Sequence, residues 1–220
     1  MTVVTESRDV PVRAGIVGLP VNLIVRGRRV VVVGGGRIAA RKIEPLLDLG
    51  ADVCVVAPSV VPEVRAWADV GRCSLVEREF RPSDLEGAWL VLTATDDPAV
   101  NAAVFAAGDA AGIWTNSADD PVNCSFTMMS VIRRADLVVA VGTGGRSPAL
   151  AVYLRRFLTE ELGPEYEILL ELLADAREAM RASGRSSEDA DWQRAFDSGI
   201  VDLVRAGRVA DAKELLNSCL

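Results

Sequence analysis

The stretch VVVVGGGRIAARK, Val30 to Lys42, decides how the whole chain reads. Four β-branched valines make a short hydrophobic run that reads as a strand. Three glycines break the run, and small and basic residues follow. A strand, a glycine turn and a helix start in that order can cradle the pyrophosphate of a dinucleotide. The first glycine permits a tight bend, the second lets backbone approach phosphate, and a small third residue lets helix and strand pack closely. Gly34, Gly36 and Ala39 stand at those positions. Phosphate would then meet unpaired amides at a positive helix end.

Outward from this turn, β-rich runs alternate with amphipathic ones. Ile38, Ile43, Leu46, Leu47 and Leu49 recur at helical spacing until Gly50, with Pro45 interrupting the pattern. DVCVVAPS reads as a second strand, PEVRAWADVG as a short helix and CSLVERE as a third strand. AWLVLTATDD is a fourth strand, PAVNAAVFAAGDAAG its helix and IWTNSADD a fifth strand. This is the pattern of βαβ units and a parallel sheet, an α/β fold of Rossmann-like type.

Past Pro121 the pattern changes. CSFTMMSVIRRADLVVAVGTGG holds two apolar runs separated by RRAD, which predicts an antiparallel pair of strands. RSPALAVYLRRFLTEEL predicts a helix with Ser147 as N-cap and Pro148 at its first position. EYEILLELLADAREAMRAS continues as an amphipathic helix. Within the linker that follows, SSED is a candidate N-terminal box, and the last helical stretch breaks at Gly207. The expected division is a Rossmann-like domain over 1–117, a small α+β segment over 118–160 and a helical domain over 161–220.

Composition narrows the function classes. The net charge of −7 argues against nonspecific nucleic-acid binding, and an anionic substrate would need a local basic patch. There is no histidine, so proton transfer falls to carboxylate, lysine, tyrosine or water. Four scattered cysteines without a CxxC pair read as small buried hydrophobes. Apolar runs fall short of the roughly 20 residues a membrane helix needs, and the N-terminus does not read as a secretory signal. A cytoplasmic protein is the expectation.

The second strand ends in Ala57, Pro58 and Ser59, where a dinucleotide fold usually carries an acid for the adenosine ribose. Backbone and the Ser59 hydroxyl would serve instead. No arginine follows directly, so NAD is preferred to NADP. At the end of the fourth strand, Thr95 and Asp96 could approach the nicotinamide half, while Asp97 before Pro98 reads as a helix cap. At the end of the fifth, Asp119 and Asp120 are adjacent carboxylates that suit either a general base or a plain acidic turn.

Four segments in order, RGRRVVVVGGGRIAARKIEPLLDLGADVCVVAP, TATDDPAVN, TNSADDPVNCSF and VGTGGRSPALA, resemble the precorrin-2 dehydrogenases of siroheme biosynthesis. That family includes the dehydrogenase and chelatase half of siroheme synthase. The resemblance runs from about Gly18 to Leu162 and is weaker beyond. It implies oxidation of precorrin-2 to sirohydrochlorin with NAD as hydride acceptor, in a homodimer built through the segment after the nucleotide domain. Some members also insert Fe2+. It implies Asp119, in the turn Asn116 to Pro121, as the catalytic residue, and Arg37, Ile38, Pro58 and Ser59 as contacts to NAD. Asn116, Ser125, Thr143, Gly144 and Arg146 are the implied substrate contacts.

The absent ribose acid is shared with the family. Two positions depart from it: Thr143 stands where serine is common and Arg146 where threonine is frequent. The domain that methylates with S-adenosylmethionine in fused siroheme synthases is not expected here. A carboxylate beside the nicotinamide suits loss of a proton together with hydride, and Asp119 could supply it. Arg133, Arg134, Arg146, Arg155 and Arg156 could offset the acidic charge toward a polycarboxylate. Only Arg146, tied to a glycine turn, is favoured as functional over surface charge. No dedicated metal site can be read from spacing. Two other readings keep the fold: a noncatalytic tetrapyrrole- or NAD-binding module, and a chelatase with vestigial dehydrogenase activity.

Overall fold

A computed structural model describes residues 18–220 except Asp119, Pro121, Val122 and Asp189. Contacts divide the described chain into two units, 18–128 and 129–220.

The first unit is built on five parallel strands: β1 (Arg29–Val33), β2 (Asp52–Val56), β3 (Ser74–Val76), β4 (Leu90–Thr93) and β5 (Trp114–Ser117). Their order is β3-β2-β1-β4-β5, so the chain reverses its direction of travel across the sheet after β3. The carboxyl ends of β1 and β4 therefore flank a topological switch point, where open α/β sheets bind ligands. Register is continuous across it, with Val33 beside Val56 on one side and Thr93 on the other.

Helices α1 (Arg37–Asp48), α2 (Pro62–Asp69) and α3 (Pro98–Ala110) cross between strands. Val30 and Val32 pack with Ala39, Ile43 and Leu46 of α1 and Val64 of α2. Val31 and Val33 face the opposite way, toward Leu85 and Val104. Valines on both faces of β1 are buried because helices cover both sides, which is why this strand reads as an unbroken apolar run. Burial of each contributes on the order of 2 kcal/mol. α1 runs through Pro45 to Asp48, and Gly50 then turns with φ +75°. A short 3₁₀ turn at Pro82–Leu85, unforeseen from sequence, joins β3 to β4.

The second unit opens with the antiparallel pair β6 (Ser130–Arg134) and β7 (Leu137–Val141), with Arg134 paired to Leu137. The intervening Ala135 adopts φ +47° without the usual glycine or asparagine of such turns. α4 (Pro148–Glu161) follows, then α5 (Glu165–Ala182), α6 (Trp192–Asp197), α7 (Ile200–Arg205) and α8 (Val209–Cys219). Leu169, Ile200, Val204, Ala212 and Leu216 form the core of these helices. The Arg205 guanidinium donates to Glu165 across α7 and α5.

Several sequence-level details hold and one does not. Ser147 caps α4 by accepting from the Leu150 N–H, and Asp97 caps α3 by accepting from Ala99. Gly207, with φ +73°, separates α7 from α8. SSED is not a helix box: the Ser186 hydroxyl accepts from the Glu188 N–H in a local turn, and α6 is capped by Asp191. Asp189 of that motif lies outside the described residues.

Candidate nucleotide site and the carboxyl edge

The three glycines divide between two roles. Gly34 has φ +118°, and a Cβ there would lie 2.4 Å from the Ala94 carbonyl oxygen at the end of β4. A Cβ on Gly35, a residue sequence reasoning passed over, would lie 2.2 Å from the Ser59 carbonyl oxygen and 2.6 Å from Val60. The Gly35 carbonyl also accepts from the Val61 N–H at 2.8 Å, which fastens the turn to the loop after β2. A Cβ on Gly36 would meet nothing within 4 Å among the described residues. Gly34 and Gly35 thus let backbone pack on backbone, and Gly36 faces open space.

Gly36 is the N-cap of α1 and lends the helix no side-chain acceptor, and the first turn carries no acid. Arg37 and Ile38 are exposed there, while Ala39 is fully buried against the sheet. Unsatisfied amides at a helix start, an adjacent arginine and a glycine with room above it fit a pyrophosphate. Pro58 and Ser59 are exposed at the carboxyl end of β2, and no carboxylate accompanies them.

The end of β4 is polar and internally bonded. The Asn101 Oδ1 on α3 accepts from the hydroxyls of Thr93 and Thr95, and its Nδ2 donates to the Thr95 carbonyl at 3.0 Å. The Thr95 hydroxyl therefore shapes the loop. Asp96 beside it is exposed.

At the end of β5, Asn116 is only 5% exposed and fully engaged. Its Oδ1 accepts from Lys42 Nζ at 2.9 Å, and its Nδ2 donates to the Phe126 carbonyl at 3.0 Å and contacts Cys124 Sγ at 3.6 Å. Lys42, on α1, was not singled out from sequence. Its partner is 74 positions away, beyond the reach of any local pattern. Ser125 bonds the backbone of Thr115, accepting from its N–H at 2.7 Å and donating its own N–H to its carbonyl at 2.8 Å. That seals the outer edge of β5. Ser117, 4% exposed, has a buried hydroxyl with no hydrogen-bond partner among the described residues. A buried orphan at the carboxyl edge fits a polar ligand group there. Burial pushes the Cys124 thiol up, the Ser117 N–H and Lys42 pull the other way, and Asp120 adds to the rise. Asp119, expected to be catalytic, lies outside the described residues.

In the second unit, Gly144 and Gly145 turn with φ +60° and +75° ahead of α4. The Thr143 hydroxyl accepts from the Ser147 N–H at 3.3 Å and donates to the Ser147 carbonyl at 3.1 Å, closing the turn. Arg146 is exposed on it. Arg134 donates to the carbonyls of Leu162 and Thr159, so it caps the end of α4.

Residues 21–130 match a family model described as NAD(P)-binding. The siroheme synthase of Nitrosococcus oceani is 33% identical over 204 residues, 92% of this chain and 44% of that protein. Siroheme synthase 1 of Aeromonas salmonicida is 44% identical over 148 residues, 67% of this chain and 31% of that one. The chain thus spans less than half the length of these relatives. A solved structure titled SirC, precorrin-2 dehydrogenase, superposes with a TM-score of 0.69 at 25% identity, covering 92% of this chain and 98% of that one. The glycine turn, the switch point and these likenesses agree: the chain belongs to the precorrin-2 dehydrogenase/sirohydrochlorin ferrochelatase family, which takes in the dehydrogenase part of siroheme synthase.

Proposed function

We propose that the chain is a cytoplasmic NAD-dependent dehydrogenase that oxidises precorrin-2 to sirohydrochlorin. The observation that carries this reading is the uncapped, acid-free start of α1 at a glycine turn with open space above Gly36. The names of the relatives supply the substrate class. Bound NAD+ would accept the hydride.

Gly34 and Gly36 shape the pyrophosphate seat, with Arg37 and Ile38 beside it. Pro58 and Ser59 face the adenosine. With neither acid nor arginine at that point, nothing selects a 2′-phosphate, which favours NAD over NADP. Asp96 and the Thr95 loop border the nicotinamide half, and the unpartnered Ser117 hydroxyl offers a hydrogen bond at the same edge. Asp119, two positions beyond Ser117, takes the proton that leaves as hydride departs, so that precorrin-2 and NAD+ give sirohydrochlorin, NADH and a proton.

Asn116 and Ser125 act on substrate through the edge they hold, because their polar groups are spent on Lys42, Phe126 and Thr115. The turn at Thr143 and Gly144 presents Arg146 to a substrate carboxylate. α4 buries none of its residues in this chain, and Leu150, Tyr153 and Phe157 form an exposed apolar stripe at 47%, 64% and 47%. A second copy of the chain would cover such a stripe, which supports a homodimer.

Purified protein mixed with precorrin-2 and NAD+ should generate NADH and sirohydrochlorin absorbance together. Binding of either compound without turnover would refute the proposal. Parallel reactions with NADP+ and with added Fe2+ read cofactor preference and metal insertion.

A further inference from the structure

Of 24 basic residues only Lys42 and Lys213 are lysines. Lys42 sits on α1 about 7.5 Å along the axis from the helix start at Arg37. Its half-buried side chain reaches β5, where Nζ donates to Asn116 Oδ1 at 2.9 Å and contacts Met128 Sδ at 3.7 Å. The Asn116 amide is turned so that its oxygen meets this ammonium, which aims Nδ2 at Phe126 and Cys124. One cation thus joins the helix of the glycine turn to the end of β5 and to the segment returning beside it. An ammonium is a compact charge with three donors, and a partly desolvated setting strengthens its field.

Resting on the dehydrogenase reading, we propose that Lys42 is a positioning residue of that site. Its ammonium orients Asn116 and the returning segment at Cys124–Phe126, and it supplies fixed positive charge at the carboxyl edge of β5. An acidic chain handling a polycarboxylate gains from such a charge at this point. The group that reports on it is Cys124. Burial raises its thiol, the Ser117 N–H lowers it, the Asp120 carboxylate raises it and Lys42 lowers it. Cys54, Cys73 and Cys219 are buried, so Cys124 is the more accessible thiol.

The test compares Lys42→Met and Lys42→Arg with the parent enzyme. Lys42→Met should lower kcat for precorrin-2 on the order of tenfold or more, since small displacements of reacting groups are costly. NAD+ affinity should change less than about twofold, because uniform binding is left intact. Lys42→Arg should restore most of the rate. Independently of turnover, the pH midpoint for iodoacetamide modification of Cys124 should move upward in Lys42→Met and stay in Lys42→Arg. A filler role for the stem would move neither the midpoint nor the difference between the two variants. If Lys42→Met folds poorly, Lys42→Gln takes its place. Parental kcat in Lys42→Met, or an unmoved Cys124 midpoint, overturns the proposal. If the parent enzyme itself fails to oxidise precorrin-2, the dehydrogenase reading falls, and the Cys124 midpoint alone decides whether Lys42 governs this edge.

Discussion

Substituting alanine at each of the three glycines separates architecture from ligand binding. At Gly35 the new Cβ would stand 2.2 Å from the Ser59 carbonyl oxygen, when real contacts are at least 3.0 Å. The loop after β2 must retreat by about 0.8 Å, straining the Val61-to-Gly35 bond that ties it to the turn. Overpacking of this kind costs about 1–3 kcal/mol. For a chain of this size that lowers the melting temperature by about 2–4 °C per kcal/mol. Gly34→Ala adds left-handed strain to its own 2.4 Å clash with Ala94 and should be worse. Gly36→Ala is the informative case. Its φ of −81° suits alanine, and among the described residues no atom lies within 4 Å of the added methyl. The weaker capping of alanine and the smaller entropy of its unfolded state offset each other to within about 1 kcal/mol. Calorimetry should therefore find Gly36→Ala nearly as stable as the parent. Titration with NAD+ should find its affinity at least tenfold weaker, about 1.4 kcal/mol, because the methyl fills the seat of the pyrophosphate. Undiminished NAD+ binding by Gly36→Ala would refute the placement of the cofactor on this turn.

Other perturbations reach different parts of the molecule. Tyr153→Asp on the exposed stripe of α4 should leave secondary structure unchanged, and sedimentation should find a dimer for the parent and a monomer for the variant. Asp84 accepts from both Nη atoms of Arg78 and from the Arg81 N–H, and the Arg78 guanidinium holds its carboxyl below the ordinary range. Its contribution is therefore complete near neutral pH and lost as pH falls below about 4. Asp84→Asn should cost about 1–3 kcal/mol at neutral pH, and melting curves of parent and variant should converge on acidification. Gly108→Ala should destabilise despite the better helix propensity of alanine, because the methyl would lie 2.3 Å from the Thr115 hydroxyl on β5.

The fold was largely legible because its signals are local. Four valines followed by glycines mark a strand and its turn, and Ser147–Pro148 and Asp97–Pro98 carry cap and first helical residue side by side. The roles of Gly35 and Lys42 were not, since each depends on a partner brought near only by folding. Gly35 meets the loop after β2, and Lys42 meets Asn116 on the second strand over. Polar residues near a cleft also look alike in sequence whether they face ligand or backbone. Thr95 proves to be engaged with Asn101 on α3 and Ser125 with the backbone of Thr115 on β5, and Ser186 of SSED makes a turn while Asp191 caps the helix. The short 3₁₀ turn at Pro82–Leu85 is held by Asp84 and Arg78, a pairing with no periodicity to announce it.

Hydride loss to NAD+ and proton loss to Asp119 should be coupled, and following precorrin-2 oxidation with NAD+ in the parent protein and in Asp119→Asn reads that coupling. The parent should form NADH and sirohydrochlorin in equal amounts. Asp119→Asn should bind NAD+ as the parent does yet turn over at least about a hundredfold more slowly, the usual worth of a positioned base. A parent that forms no NADH, or an Asp119→Asn enzyme with undiminished turnover, would contradict it.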